Sequence, residues 1–508
     1  MKNHFTRREF LKLAGSLPLT LAAPHLVRTL QPPSFQEKPR NVILVLFDAF
    51  SAYNISVHGY GRDTTPNIAR LAKRAIVYHN HFAGGNFTTP GTASLLTGVL
   101  PWTHRAFQPN SQVIERFETR NIFSAFENHY RIAYTHNGWA YTLLRQFSNE
   151  IDELIAREKL LLGSYDTIIQ SLFQNDDDLA SVSWERSMRV KEDGLAYSLF
   201  LSNLYEDLQE KMIRDLKPLF PRGLPTTGSD NGFLIEQAVD YIADRLVSIP
   251  QPFAGYFHFL PPHYPYRTSR EFFNTFKNDG FKPIEKPVDL FIARPKKDLP
   301  AARTNYDEFI LYCDKEFGRL YDYLESSGLL DNSWLVLTSD HGEMFERGIS
   351  GHSTAVLYQP VVRIPLMIFE PGREVGMDIH DTTSAVDVLP TLSYLAGEKV
   401  PDWTEGVILP PFATDASSKD RDIYTVRANN NDIFAPLTQA STILVKENYK
   451  LHYYFGYPEI NGGELVRLFD IKADPEELVD LYPSQKGIAL ELLDELKARL
   501  KEVDAPYL

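Results

Sequence analysis

Residues Asn41 to Phe47 read NVILVLF, an apolar, β-prone run that stops at Asp48. A strand with no polar alternation has no face to give to water, so it belongs in a parallel sheet covered by helices on both sides. Two further runs behave alike. Trp334 to Thr338 (WLVLT) stops at Ser339-Asp340-His341-Gly342, and Ala254 to Leu260 stops at Pro261-Pro262-His263. Helical patterns are expected between them, at Asn67 to Arg74, Asn121 to Tyr130 and Tyr306 to Leu324. In the last, Phe309, Cys313, Phe317, Leu320 and Leu324 share one face, which makes the single cysteine a core residue rather than a nucleophile. The fold class is therefore α/β with a mostly parallel central sheet. Its chemistry is expected at the carboxyl ends of the strands, the edge where open α/β sheets bind ligands.

The rest of the chain is organised around that sheet. Residues Phe147 to Phe220 are rich in Glu, Asp, Leu and Tyr and carry no chemical motif, and they read as a helical insertion over the sheet edge, a lid or a substrate-selecting wall. The Pro-rich loop Leu216 to Thr226 closes it. A catalytic domain is expected over residues 40–410 and a smaller α+β subdomain over 420–508. In the latter, Lys446 to Tyr454 and Glu464 to Ile471 read as antiparallel strands and Lys486 to Val503 as an amphipathic helix. With Lys+Arg at 52 and Asp+Glu at 66, the net charge of -14 argues against nucleic acid as a partner, though a local basic pocket stays open. A single cysteine excludes an intramolecular disulfide and multi-cysteine zinc or iron–sulfur sites.

At the start, Thr6 to Lys12 (TRREFLK) precedes a weakly apolar run, Leu13 to Val27, broken by Pro18 and Pro24. Paired arginines before a short apolar stretch resemble a bacterial twin-arginine export signal over residues 1–32, the alternative being a basic amphipathic first helix. The run is short for a membrane span, and no later window approaches the ~18 apolar residues that one needs. The expectation is a protein exported to the periplasm or beyond with the twin-arginine machinery as transient partner, beginning near Gln31 to Lys38 once processed, an uncleaved anchor being the other outcome.

Asp48 and the adjacent Asp340-His341 offer two carboxylates and an imidazole at strand ends, a donor set suited to one divalent ion. The imidazole favours Mn²⁺ or Zn²⁺, with Ca²⁺ and Mg²⁺ as alternatives. Asn86 to Gly98 (NFTTPGTASLLTG) places Thr88 and Thr89 before Pro90, where a helix can open. A hydroxyl there lies at a helix N-terminus that favours anions, and on a divalent ion it becomes acidic enough to attack phosphorus. Simple helix capping is the competing account of these threonines.

Taken together, these residues resemble the sulfatase group of the alkaline-phosphatase-like superfamily. That family's C-x-P-S-R-x-x-L-x-T-G signature falls on Thr88 to Gly98, and its T-P-N-x-x-x-L-A on Thr65 to Ala72. Asp48 matches its first metal aspartate. Further matches follow in order: His263 in PPHYPY, Ser339 to Glu343, Gly351-His352, Tyr358 to Pro365 (YQPVVRIP), Asp387 to Thr391 (DVLPT) and Leu468 to Glu477 (LFDIKADPEE). The resemblance implies an alkaline-phosphatase-like fold and one ion held by Asp48, Thr88, Asp340 and His341. It also implies His263 and His352 in the pocket, binding oxyanion oxygens or protonating a leaving group, and a small-molecule, glycan or lipid-head-group ester as substrate.

Three departures bear on chemistry. Sulfatases oxidise a Cys or Ser at the Thr88 position to formylglycine, and threonine, with a methyl on its β-carbon, can give only a ketone. The family arginine is Thr92. The family's G-K-W-H falls on His136-Asn137-Gly138-Trp139, so Asn137 stands where a substrate-binding lysine is expected, beside Thr89 as a second candidate substrate contact. The favoured expectation is a metal-dependent phosphoester hydrolase or phosphotransferase with Thr88 as nucleophile. The alternatives are a sulfatase working without formylglycine, and a catalytically inactive shell that binds a glycan or lipid.

Overall fold

The computed structural model describes residues 40–162, 211, 214–227, 232–413 and 421–508. The expected export signal and most of the expected insertion lie outside the described residues. NVILVLF forms β1, Asn41–Phe47, buried along its whole length. It lies at the centre of an eight-stranded sheet made with β2 (Ile76–Phe82), β3 (Tyr130–Thr135), β4 (Glu153–Leu154), β5 (Phe253–Phe259), β6 (Ser333–Thr338), β9 (Leu366–Phe369) and β10 (Met377–Ser384). Their order is β10-β2-β9-β6-β1-β5-β3-β4, while β7 (Met344–Glu346) and β8 (Ile349–Gly351) form a separate antiparallel pair. Only β9 runs against its neighbours, so the sheet is mostly parallel, as the unbroken apolar runs require.

Successive side chains of β1 feed two cores. Ile43, Val45 and Phe47 pack with the helices Ile235–Leu246 and Leu299–Ser326. Val42, Leu44 and Leu46 pack with Thr88–Thr97, Gly138–Gln146 and Val388–Ala396. Each such side chain contributes roughly 1.5–3 kcal/mol by leaving water. Cys313 sits in the first core, fully buried, and burial pushes its thiol well above the usual range. It is a packing residue.

A separate antiparallel sheet joins β11 (Ile423–Arg427), β12 (Ala440–Lys446), β13 (Tyr449–Phe455) and β14 (Glu464–Asp470), backed by the helix Lys486–Asp504. The expected strand Lys446 to Tyr454 is present as β13 from Tyr449 onward, antiparallel to β14, but its first residues differ: Lys446 ends β12 and Glu447-Asn448 form the turn between β12 and β13. Lys446 pairs with Tyr449, and Glu447 takes φ 53°, the left-handed conformation a two-residue hairpin needs. Two other expectations are corrected. Between Asn121 and Tyr130 only Ile122–Ala125 is helical, closed at its start by a capping box on Asn121, because Tyr130 is already drawn into β3. The start of the expected insertion is not helical cover: Glu153–Leu154 pairs in parallel with β3 and extends the sheet.

The family-like motifs away from the strand ends hold elements together. Asp314 accepts from the backbone N–H groups of Asn67 and Ile68, tying the Pro66–Ala72 helix to Leu299–Ser326. Asp387 accepts from the backbone of Ser384 and Val407. Glu477 accepts from Lys450, His452 and the backbone of Gln359, clamping the small sheet to the YQPVVRIP segment.

Candidate active site

Parallel register brings three strand ends to one place. Leu46 of β1 is level with His258 of β5 and Thr338 of β6, so Asp48 and Asp340 emerge side by side. The Thr88–Thr97 helix is pressed onto this edge at Gly91, where an added Cβ would lie 2.3 Å from the Asp340 carbonyl oxygen. Only glycine permits that approach. Pro90 lies in the first turn as expected, but the helix opens at Thr88 itself, with Phe87 at the N-cap and no side-chain cap.

The Thr88 hydroxyl is therefore not a cap. Thr88 Oγ1 lies 3.2 Å from Asn137 Nδ2 and 3.5 Å from His341 Nε2. His341 Nε2 in turn lies 3.4 Å from Asp48 Oδ1 and 3.6 Å from Asp340 Oδ2. All four residues with metal roles in the sequence reading, Asp48, Thr88, Asp340 and His341, thus meet in one fully buried cluster. Thr92 Oγ1 donates to Asp340 Oδ2 at 3.3 Å. Asp340 Oδ1 is taken up by the backbone N–H groups of Ala49 and His341.

The cluster fits a cation. Asp48 Oδ1 is buried without a hydrogen-bond partner among the described residues. Burial opposes charge on His341, yet the adjacent Asp340 and Asp48 carboxylates outweigh it and lift its pKa to about 9. Two carboxylates closed into an apolar fold thus draw positive charge from their surroundings.

The remaining candidates take distinct places. Asn137 caps the Gly138–Gln146 helix by accepting from Trp139 and Ala140 N–H, and donates to Asp48 Oδ2. Thr89 turns away, accepting from Asn110 N–H at 3.1 Å and so holding a loop of the pocket rim. His352 is wedged between rings, its centroid 4.2 Å from His341 and 5.1 Å from His263. Its Nδ1 lies 3.1 Å from Glu343 Oε1. Burial and the neighbouring imidazoles push His352 well below the usual range, and burial lifts Glu343 to about 7. His263 is half-buried and faces a cavity of about 630 Å³ together with Thr88, Asn137, Trp139, Arg157 and Tyr264.

Two residues were missed from sequence. His258 lies in the middle of β5 with Nε2 3.3 Å from Asp48 Oδ2. Its signal was available: a histidine inside a run buried on both faces needs a partner. Arg157 follows β4, in a stretch without a motif, and no spacing pointed to it.

Residues 40–398 match the family model described as sulfatase, and residues 352–505 match that of the N-sulphoglucosamine sulphohydrolase C-terminal region. The chain is 23% identical over 510 residues to the multifunctional alkaline phosphatase superfamily protein PehA of Trinickia caryophylli, covering 87% of this chain and 91% of that one. It is 25% identical over 456 residues to the choline-sulfatase of Rhizobium meliloti, covering 83% and 78%. Among solved structures, the phosphonate monoester hydrolase of Agrobacterium radiobacter superposes with a TM-score of 0.61 at 19% identity, covering 92% of this chain and 96% of that one.

Proposed function

Because this chain belongs to the sulfatase family of the alkaline-phosphatase-like superfamily, we propose that it is a metal-dependent hydrolase or transferase of phosphoesters with Thr88 as the nucleophile. The observation that carries this reading is the Thr88 hydroxyl, which forgoes capping its own helix and instead meets Asn137 and His341. Asp48, Asp340, His341 and Thr88 would hold the ion. When bound, it supplies acidity to the threonine hydroxyl and charge to neutralise phosphoryl oxygens.

Thr88 loses its proton to solvent, and Oγ1 forms a bond to phosphorus as the bond to the leaving oxygen breaks. Asn137 Nδ2, already on Thr88, donates to a phosphoryl oxygen. His263, on the pocket wall, protonates the leaving alkoxide. His352, kept neutral by burial, holds His263 and His341 apart and in place. Water or an acceptor alcohol then releases the phospho-threonine and restores the hydroxyl. Arg157 faces the same pocket and supplies positive charge that Asn137 and Thr92 do not. The substrate class in this reading is a small-molecule, glycan or lipid-head-group ester.

A sulfatase reading is favoured by the similarity to a choline-sulfatase. Hydrolysis of bis-p-nitrophenyl phosphate and p-nitrophenyl sulfate by metal-supplemented protein separates the two, with Thr88→Ala and Asp340→Ala as controls. Phosphodiester turnover lost in both variants is the expected result. Sulfate turnover that survives Thr88→Ala would sink the threonine mechanism.

Within the same reading the TRREFLK segment directs twin-arginine export of a catalytic domain (residues 40–410) and a smaller subdomain (420–508). Among the described residues no helix is long and apolar enough to cross a membrane.

A further inference from the structure

We propose that His258 is a direct ligand of the cation, adding a second imidazole to Asp48, Asp340, His341 and the Thr88 hydroxyl, and that two imidazoles beside two carboxylates select zinc or manganese over calcium. The inference rests on the metal site in the reading above, but not on its nucleophile. Asp48, His258 and Asp340 are fully buried, and each offers one ligand atom within 4.8 Å of the others.

His258 Nε2 is buried with no hydrogen-bond partner among the described residues. It lies 3.3 Å from Asp48 Oδ2 and 3.9 Å from Asp340 Oδ2. A protonated imidazole bridging two carboxylates would close to about 2.7–2.9 Å, so these spacings are too wide for an ion pair pulled tight. They suit donors arranged around a common centre. Neighbouring donor atoms about 2.1 Å from one four- or five-coordinate ion lie ~3–3.6 Å from one another. His341 approaches from the other side of the Asp48 carboxylate, with Nε2 3.4 Å from Asp48 Oδ1 and 3.6 Å from Asp340 Oδ2.

Both rings are oriented from outside, as ligating histidines generally are. Nδ1 of His341 is held by the Gly342 carbonyl at 3.0 Å. Nδ1 of His258 is 3.0 Å from the Tyr256 hydroxyl, whose oxygen can accept its proton and leave the Nε2 lone pair facing the carboxylates. Calcium prefers six to eight oxygen donors at longer distance, whereas two nitrogens with two carboxylate oxygens suit zinc or manganese.

The test uses the purified chain stripped with chelator and titrated calorimetrically with Zn²⁺, Mn²⁺ and Ca²⁺, with X-ray absorption counting imidazoles around bound zinc. Wild type should bind one zinc with two imidazoles and favour zinc and manganese over calcium. His258→Gln should weaken zinc by at least about 10- to 100-fold, a loss already seen for outer-shell partners, show one imidazole, and leave calcium binding little changed. Tyr256→Phe, which keeps the buried ring, should weaken zinc several-fold and serves if His258→Gln does not fold. Unchanged zinc affinity in the variants with one imidazole in wild type would overturn the proposal, as would a wild-type preference for calcium. Thr88→Ala keeps both imidazoles, so turnover surviving in it would overturn the nucleophile reading and leave this one standing.

Discussion

Asn137 Nδ2 lies 3.2 Å from Thr88 Oγ1, while Oδ1 of the same amide caps the Gly138–Gln146 helix. One side chain therefore does two jobs that substitution can separate. Serine preserves the cap, which is worth ~1 kcal/mol against alanine, but is too short to reach Thr88 and Asp48. Asn137→Ser should lower kcat on a phosphodiester by ~10-fold or more with a near-native melting temperature. Asn137→Ala should show the same kinetic loss and melt lower. Full activity in Asn137→Ser would remove the amide from the mechanism.

Gly91 makes a second prediction, with two effects opposed. Alanine is the better helix former by about 1 kcal/mol, but its Cβ would sit 2.3 Å from the Asp340 carbonyl oxygen, which is backbone and cannot swing away. The clash wins, because relieving overpacking costs about 1–3 kcal/mol and here must move Asp340, a ligand in the proposed metal site. Gly91→Ala should melt lower and lose most metal-dependent activity. A more stable, fully active variant would show that the helix can retreat without cost.

Other residues of the site show what sequence could and could not carry. The apolar runs and the residues at their ends fixed the sheet and put Asp48, Asp340 and His341 together, because burial on both faces leaves few alternatives. Thr88 came from motif order, since a threonine before proline reads equally well as a cap until Phe87 is seen at the N-cap. His258 was hidden because strand patterning sorts residues by hydrophobicity, so one polar residue in an apolar run was absorbed by the run. Arg157 reaches the pocket only because β4 adds to the sheet edge, and a two-residue strand has no periodicity to read. The β12–β13 turn was missed because Glu447-Asn448 lacks the glycine that usually marks a hairpin.

Arg157 lines the pocket with Thr88 and His263, and its Nε has no hydrogen-bond partner among the described residues. Partly exposed, with a side-chain accessibility of 20% and only a loose 3.9 Å approach of Nε to the exposed Glu158 carboxylate, it is placed to meet a substrate anion rather than to stabilise the fold. Losing such a contact in the ground and transition states alike raises KM and spares kcat. Arg157→Ala should raise KM for an anionic ester by ~10-fold, about 1.4 kcal/mol, with Arg157→Lys recovering part of it. A fall in kcat at constant KM would instead place the guanidinium on the reacting group.

The clamp between the small sheet and the YQPVVRIP segment should make the protein acid-labile. Burial alone would raise Glu477, but the Lys450 ammonium at 2.8 Å and the His452 imidazole outweigh it and hold its pKa at about 2. Burial, aided by Lys450, pushes His452 down to about 4. For the carboxylate, a depressed pKa gives stability that is present above the unfolded value near 4.5 and is lost as pH falls toward 2. For the imidazole, the unfolded chain takes up its proton near 6.5 while the folded one resists to about 4, so stability falls across that window too. Both act in the same direction. Melting temperature should decline from about pH 6.5 downward, and Glu477→Gln should melt lower at pH 7 with a flatter dependence below pH 4.5. Identical slopes for wild type and variant between pH 4.5 and 3 would show that acid unfolding is controlled by other carboxylates.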